Sequence, residues 1–183
     1  MRIIGGEHKG RRLTPPKNLP VRPTTDMNRE SLFNILNHMY EFKDLKVLDL
    51  FAGTGAISYE FSSRGASRCV AVDRSAACTR YIDKVAAELD FPIETITGNV
   101  FTALEKLRGS FDIIFADPPY GLSQQDWDRL ADQCLALPGF VDEGTLIIES
   151  SKHTKYDDHP ALDSVRKYGG TRIWFFEKRE TDL

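Results

Sequence analysis

Runs of apolar residues alternate with amphipathic segments along most of this chain, and each run ends in a short polar or glycine-containing stretch. The clearest case is the stretch from Val47 to Gly55, VLDLFAGTG, which is followed by the amphipathic segment AISYEFSSRG up to Gly65. This pattern predicts a buried strand, a tight turn and a helix. Gly53 and Gly55 carry no Cβ, so a ligand could approach the backbone there and meet the N–H groups of the helix start.

The same pattern of strand and helix recurs further along the chain. SRCVAVD predicts a second strand that ends at Asp73, followed by a helix that Ser75 caps and that ends near Leu89. FPIETITGN predicts a third strand that ends at Asn99, and FDIIFA predicts a fourth strand before Asp117. Strands that alternate with helices in this way predict a parallel sheet.

The last part of the chain completes the predicted sheet. Ser123 is a predicted cap of a helix with four core-facing residues, Trp127, Leu130, Cys134 and Leu137. GTLIIES then predicts a fifth strand, and DSVRKYGGTRIWFFEKRE predicts a hairpin around Gly169 and Gly170. The hairpin predicts an antiparallel strand at the end of an otherwise parallel sheet. We therefore expect an α/β protein with a Rossmann-like fold and a seven-stranded, mainly parallel sheet with one antiparallel strand.

The N-terminal segment differs from the rest of the chain in charge. Residues 1–24 contain six basic residues and one acidic residue, a net charge of +5, whereas the whole chain of 183 residues has a net charge of −3. RIIGGEHKGRRL predicts a short hairpin that turns near Glu7 to Lys9, and the prolines that follow predict a stiff connector. A basic hairpin favours contact with nucleic-acid phosphates. We divide the chain into this hairpin and connector, residues 1–24, and an α/β domain, residues 25–183.

The segment TTDMNRESLFNILNHMYEF predicts a helix capped by Thr25 or Asp26. Arg22, Thr24 and Arg29 flank the start of this helix, where backbone N–H groups favour phosphate. The predicted buried face consists of Leu32, Ile35, Leu36 and Met39. The predicted RNA-binding residues are Arg2, Lys9, Arg11, Arg12, Arg22, Thr24 and Arg29.

Composition fits a soluble protein with a full core, because 41% of the residues are hydrophobic and no apolar run approaches the length of a membrane span. The three cysteines are odd in number and have no C-x-x-C spacing. We expect a cytoplasmic protein.

Two ligands compete for the predicted glycine turn. A dinucleotide site reads G-x-G-x-x-G, but Ser58 stands where the third glycine would be. Asp49 at the strand end would repel a pyrophosphate and attract an ammonium group. Asp73 could accept hydrogen bonds from a ribose diol. Asn99 could hold the exocyclic amine of adenine, or it could only cap the following helix.

The tetrapeptide D-P-P-Y, Asp117 to Tyr120, follows the fourth predicted strand. Successive prolines fix φ and remove N–H donors, which makes this segment a rigid set of acceptors. Asp117 and the carbonyl group of Pro118 could accept the two hydrogens of an exocyclic amine, and Tyr120 could stack on a base. Together with the glycine turn, this element indicates an amino-methyltransferase.

The pattern D-x-F-x-G-x-G at Asp49 to Gly55 resembles motif I of class I S-adenosylmethionine-dependent methyltransferases. Across nearly the whole chain, from MRIIGGEHKGRRL through RPTTDMNRESLFNIL, the D-P-P-Y element and LIIES to RKYGGTRIWFF, the sequence resembles the RsmD family of bacterial 16S rRNA guanine-N2 methyltransferases. The candidate cofactor-binding residues are Asp49, Phe51, Ala52, Gly53, Gly55, Asp73, Arg74, Asn99 and Val100. The candidate catalytic residues are Asp117, Pro118, Pro119 and Tyr120.

The resemblance implies S-adenosylmethionine as the methyl donor and 16S rRNA within the 30S particle as the substrate. We expect a monomer that needs no metal ion. One departure is in the first helix, where the family commonly has D-R-x-R-E and this chain has D-M-N-R-E, with Met27 in place of an arginine. If that arginine grips RNA or cofactor, Arg29 must do more of this work here.

Three other functions remain open at the level of sequence. A DNA adenine-N6 methyltransferase could use the same D-P-P-Y element, although such enzymes generally carry an added target-recognition domain. A protein-amine methyltransferase would keep the cofactor motifs without the basic N-terminal segment. A non-catalytic RNA-binding module on the same fold would bind RNA and lack cofactor binding.

Overall fold

A computed structural model of the protein describes residues 1–20 and 26–178. The helices are α1 (Asp26–Met39), α2 (Ala56–Ser63), α3 (Ala76–Leu89), α4 (Val100–Lys106) and α5 (Gln124–Leu135). The strands are β1 (Lys46–Leu50), β2 (Arg68–Asp73), β3 (Ile93–Thr97), β4 (Phe111–Ala116), β5 (Phe140–Ser151), β6 (Leu162–Tyr168) and β7 (Thr171–Glu177). Among the residues described, no helix combines the length and the apolar composition needed to cross a membrane.

The seven strands form one sheet in the order β3-β2-β1-β4-β5-β7-β6. The neighbours from β3 to β5 pair in parallel, and β7 is antiparallel to both β5 and β6. The expected α/β fold with one antiparallel strand is therefore confirmed. However, the antiparallel strand β7 lies between β5 and β6 and not at the edge of the sheet. The apolar residues Ile173 to Phe176 explain this position, because they are buried in β7 while β6 is largely exposed.

Helices cover both faces of the sheet. Alternate strand residues such as Val47 and Ile113 pack against α1 and α2, and their neighbours such as Leu48 and Ile114 pack against α4 and α5. The helix caps at Ser75 and Ser123 are as predicted. Alternation with a period of two thus places each strand between two apolar layers.

Helix α1 differs from its prediction at one end. Leu32 and Leu36 are buried as expected, and Phe33 is buried with them, whereas Met39 is 48% exposed. Met39 is the last residue of α1 and borders a groove beside β6, beyond the core that the earlier turns contact. Its predicted burial is wrong for that reason.

The N-terminal hairpin is confirmed. Arg2 and Arg12 form an antiparallel bridge, and the backbone N–H of Ile3 donates to the carbonyl oxygen of Arg11 at 2.9 Å. The turn contains Gly6 with a φ of +77°, and a Cβ there would lie 1.8 Å from the carbonyl oxygen of Ser63. Glycine is therefore required where the hairpin crosses the end of α2.

Five residues with sequence-based predictions have undescribed side chains. Arg22, Thr24 and Thr25 are outside the described residues, and the side chains of Asp26 and Met27 are not described. Their predicted roles in RNA contact and helix capping stay predictions.

Candidate functional site

The turn after β1 has an unusual backbone. Phe51, Gly53 and Gly55 have φ values of 60°, 55° and 84°, and the αL residue Gly55 caps α2 without a side-chain hydrogen bond. Phe51 is the exceptional member, because side chains larger than glycine rarely adopt positive φ. The turn thus holds a strained, half-exposed backbone at the amino end of a helix, where a polar ligand can meet N–H groups.

Gly55 is required for packing. A Cβ at this position would lie 2.7 Å from the ring of Tyr59 and 2.8 Å from the side chain of Ile82. The sequence interpretation assigned both turn glycines to ligand approach. At Gly55, however, the space that a Cβ would need is filled by Tyr59 and Ile82 of the protein itself. Gly53 has a positive φ, a backbone conformation that favours glycine.

Asp49 lies beneath the turn and contacts Ser58. The side chain of Asp49 is only 1% exposed, and its Oδ2 accepts hydrogen bonds from the Ser58 backbone N–H at 3.1 Å and hydroxyl at 2.6 Å. Burial raises the pKa of Asp49 to about 7, while the Ser58 hydrogen bonds oppose the rise. Ser58 thus replaces the third glycine of a dinucleotide motif with a partner for a buried carboxyl group. Because Asp49 is buried, its charge would act on a ligand in the turn without direct contact.

Asp73 connects the end of β2 to the glycine turn. Its Oδ2 accepts from the N–H of Gly53 at 2.9 Å, and its Oδ1 accepts from the N–H of Ser75 at 2.8 Å. Each carboxylate oxygen has a second lone pair, so Asp73 can still accept from a ligand hydroxyl. The side chain therefore fixes the turn, and its contact with a ribose diol stays a prediction.

The predicted cofactor-binding residues after β2 and β3 lie in different environments. Arg74 is exposed and Val100 is buried at the start of α4. The Oδ1 of Asn99 accepts from the backbone N–H of Phe101 at 2.9 Å and of Thr102 at 3.4 Å. The capping role is therefore the one observed, and the oxygen predicted to hold adenine is already engaged. The cap also ends β3 at Thr97, two residues earlier than predicted.

The D-P-P-Y segment lies beside the glycine turn. Strands β1 and β4 are neighbours, with Leu50 opposite Ala116, and the N–H of Asp117 donates to the carbonyl oxygen of Leu50 at 3.4 Å. Pro118 is buried, and Pro119 and Tyr120 are exposed. The strand order reverses between β1 and β4, and open α/β sheets bind ligands at the carboxyl ends of the strands at such a switch point. Two motifs that are more than sixty residues apart in the chain thus meet at one crevice.

Glu149 near the carboxyl end of β5 belongs to the same edge and was missed by the sequence reasoning. It is only 6% exposed, and burial, together with the charge of Asp117, raises its pKa to about 8. The signal in the sequence was a glutamate inside the apolar run LIIES. A buried acidic residue of this kind is uncommon and marks a functional position more often than an exposed one does.

Four of the predicted RNA-binding residues are on the surface of the hairpin: Arg2, Lys9, Arg11 and Arg12. Arg29 is not on the surface, because its side chain is 1% exposed. Its Nη2 donates to the carbonyl oxygen of Arg2 at 2.6 Å, and its Nε lies 3.5 Å from the Oε1 of Glu60. The prediction that Arg29 contacts RNA phosphates is therefore contradicted, since a buried guanidinium cannot reach a phosphate outside.

Glu60 in α2 explains why Arg29 is buried. The Glu60 carboxylate accepts from the N–H groups of Ile4 at 2.6 Å and Gly5 at 3.3 Å, and it pairs with Arg64 at 3.5 Å as well as with Arg29. One buried carboxylate thus joins the hairpin to α1 and α2. Sequence reasoning missed Glu60 because its hairpin partners, Ile4 and Gly5, are more than fifty residues away in the chain.

The three cysteines, Cys69, Cys78 and Cys134, are buried and free. Burial raises the pKa of each thiol, so none is activated as a nucleophile. Within residues 1–20 and 26–178, no group of three or more His, Cys, Asp or Glu side chains is arranged to hold a metal ion.

The sheet order, the glycine turn after β1 and the D-P-P-Y segment after β4 together define the fold of class I S-adenosylmethionine-dependent methyltransferases. The solved structure of magnesium protoporphyrin IX methyltransferase from Synechocystis PCC 6803 with bound SAM has this fold, with a TM-score of 0.67 at 14% identity over 83% of this chain and 78% of that chain. The structure of yhhF from Escherichia coli has a TM-score of 0.85 at 29% identity, over 99% of both chains.

The chain belongs to the family described as conserved hypothetical protein 95, the RsmD family, whose model matches residues 1–177. Ribosomal RNA small subunit methyltransferase D of Escherichia coli (strain K12) is 32% identical over 170 residues, which is 91% of this chain and 83% of that relative. The family resemblance drawn from the sequence is confirmed.

Proposed function

We propose that this protein transfers a methyl group from S-adenosylmethionine to the exocyclic N2 amine of a guanine in 16S rRNA of the small ribosomal subunit. The observation that carries the proposal is the meeting of the glycine turn and D-P-P-Y at one crevice, through the pairing of β1 with β4. A methyl donor at the first segment and an amine at the second would be neighbours there. The name of the Escherichia coli relative supports an rRNA substrate.

The residues around the turn fit S-adenosylmethionine, which would supply an electrophilic sulfonium methyl group. Asp73 has a remaining lone pair on each oxygen for the ribose hydroxyls, and Gly53, which has no Cβ, leaves the backbone of the turn open to the ligand. The buried charge of Asp49 favours the ammonium end of the ligand. A pyrophosphate would be repelled by these two carboxylates, which favours the adenosyl ligand over a dinucleotide.

The D-P-P-Y segment would orient the target amine. The guanine N2 lone pair is delocalised into the ring, so the amine must be held in line with the methyl group at a near-attack distance. Asp117 and the Pro118 carbonyl group would accept its two hydrogens, which directs the lone pair toward the donor. Exposed Tyr120 would stack on the base after it has left its own stack. Attack of the amine nitrogen on the methyl carbon would break the sulfur–methyl bond and leave S-adenosylhomocysteine, and one amine proton would pass toward Asp117.

The basic hairpin would hold the RNA next to this crevice. Met1 of the hairpin contacts Thr54 of the glycine turn, with 3.8 Å between its Sδ and the threonine Oγ1. Arg11 and Arg12 are exposed on the same hairpin and would contact phosphates beside a flipped guanine. In this proposal residues 1–24 contact RNA and residues 25–183 form the methyltransferase domain of a monomeric, cytoplasmic enzyme that acts on the 30S particle.

A methylation assay tests the reaction. Purified protein would be incubated with labelled S-adenosylmethionine and, in separate arms, with 30S particles from cells that lack the protein, naked 16S rRNA and duplex DNA. We expect label in rRNA as N2-methylguanosine on nucleoside analysis, and loss of roughly a hundredfold or more in rate for Asp117→Ala with little change in cofactor affinity. Label in DNA adenine, or no label in any nucleic acid, would refute the proposal.

A charge-neutralised hairpin tests the RNA contact. Replacing Arg11 and Arg12 with glutamine should weaken RNA binding and lower the salt slope of log K by about 1.4, for two lost single-strand phosphate contacts. The matched control replaces Arg166 and Lys167, two exposed basic residues of the edge strand β6. Equal salt slopes for the two double variants would show that the hairpin makes no such contact.

A further inference from the structure

Glu149 is the neighbour of Asp117 across the sheet. Strands β4 and β5 are parallel with Ala116, the last residue of β4, opposite Ile148, and the next residues along the two chains are Asp117 and Glu149. On its other side Glu149 pairs with the apolar residue Ile173 of β7. The sheet register therefore places a second carboxyl group beside the acidic residue of D-P-P-Y.

The two side chains share one face of the sheet. Phe115 of β4 and Ile147 of β5 belong to the core layer under α1 and α2, and side chains two residues apart in extended chain point to the same face. Asp117 and Glu149 follow them by two residues each. From this alternation we expect both carboxyl groups on the same face, one step beyond the apolar layer.

The surroundings of Glu149 favour its neutral form. Within the described residues no Lys, Arg or His forms an ion pair with Glu149, and its burial together with the charge of Asp117 raises its pKa to about 8. From β1, Asp49 adds a further acidic group that faces Asp117. From α1, the guanidinium of Arg29 contacts Glu60 and the carbonyl group of Arg2. These surroundings therefore favour a proton on Glu149 at neutral pH.

We propose that Glu149 is a positioning residue of this site, whose protonated carboxyl group donates a hydrogen bond to the Asp117 carboxylate and fixes its orientation. This inference rests on the proposed function, because it assigns Asp117 to the target amine. One Asp117 oxygen is held by Glu149, which leaves the other directed to the amine. When Glu149 ionises, two like charges stand side by side and the hydrogen bond is lost.

Glu149→Gln and Glu149→Ala separate this role from packing. Glutamine keeps a donor of the same shape and cannot ionise, whereas alanine removes the donor. The matched control is Glu177→Gln, an exposed residue at the opposite end of the sheet, where it pairs with Thr145. Thermal unfolding of each variant confirms that it is folded.

The pH profile of single-turnover methyl transfer is the main measurement. We expect the parent and Glu177→Gln to lose rate with a midpoint near pH 8, at the ionisation of Glu149. Glu149→Gln should keep the neutral rate and lose that alkaline fall, and Glu149→Ala should lose about tenfold to a hundredfold at all pH values, as removal of outer-shell partners does. S-adenosylmethionine affinity should stay within about twofold in all variants.

An unchanged alkaline fall in Glu149→Gln, or a parental rate in Glu149→Ala, would overturn the inference. An infrared difference spectrum of parent against Glu149→Gln gives a readout that does not depend on activity. It should show the C=O stretch of one protonated carboxyl group at neutral pH, which disappears above about pH 8. If the spectrum shows no such group, the inference fails even if the protein methylates rRNA. If the parent methylates no rRNA, the proposed function fails instead.

Discussion

Replacing Glu60 with alanine should cause a large loss of stability. The buried Glu60 carboxylate holds the N–H groups of Ile4 and Gly5 and lies 3.5 Å from the guanidinium nitrogens of Arg29 and Arg64. Alanine would remove the carboxylate beside the buried guanidinium of Arg29, which is 1% exposed, and would leave two backbone donors without their acceptor. The hairpin would lose the Glu60 contacts and keep its hydrogen bonds to Ser63 of α2.

The size of the expected loss in free energy of unfolding follows from removing one member of a buried charge pair. Burial raises the pKa of Glu60 above its ordinary value while both arginines lower it, so the ionised carboxylate itself gains little from its site. Removing one partner of a buried pair nevertheless costs about 3 to 5 kcal/mol, because the other charge remains out of water. That is a large part of the roughly 5 to 15 kcal/mol by which a domain is stable.

Urea unfolding at equilibrium measures this loss, and hydrogen exchange at Ile4 and Gly5 shows whether the hairpin detaches. The control is Glu94→Ala, which also removes the carboxylate of an Arg–Glu pair, with Arg68 at 2.7 Å, but at a glutamate that is 62% exposed. It should cost only about 0 to 1 kcal/mol. If the two variants lose the same free energy of unfolding, the reasoning from burial is refuted.

Three further predictions concern the carboxyl ends of β1 and β2. Gly55→Ala should destabilise the protein by about 1 to 3 kcal/mol in urea unfolding, because its Cβ would lie 2.7 Å from the Tyr59 ring at a φ of +84°. Asp49→Asn keeps an acceptor for Ser58 but cannot ionise. The folded parent retains a proton on Asp49 between pH 3.8 and about 7 that the unfolded chain releases, so its stability should fall as pH rises through this window, and the variant should show a flatter profile. Asp73→Ala should weaken S-adenosylmethionine binding by about 1.5 to 3 kcal/mol in calorimetry, and unchanged affinity would contradict the ribose assignment.

Local signals made most of the fold predictable. Apolar runs of strand length, the hairpin glycines Gly169 and Gly170, and the caps Ser75 and Ser123 each act within a few residues of their own position. The edge of the sheet that carries both Asp73 and Asp117 was predictable too, because parallel strands present their carboxyl ends on one side. The elements and the place of the site therefore follow from patterns along the chain.

The sequence by itself determined the order of strands and helices, the glycine turn and the D-P-P-Y segment, since each depends on neighbours in the chain. The tertiary structure alone decided that Arg29 is buried against Glu60, that Gly55 makes room for Tyr59, and that Glu149 lies beside Asp117. A residue's charge and size are written in the sequence. Whether water, a distant partner or an apolar layer surrounds it depends on segments that are brought together only by folding, and that environment sets its protonation and its role.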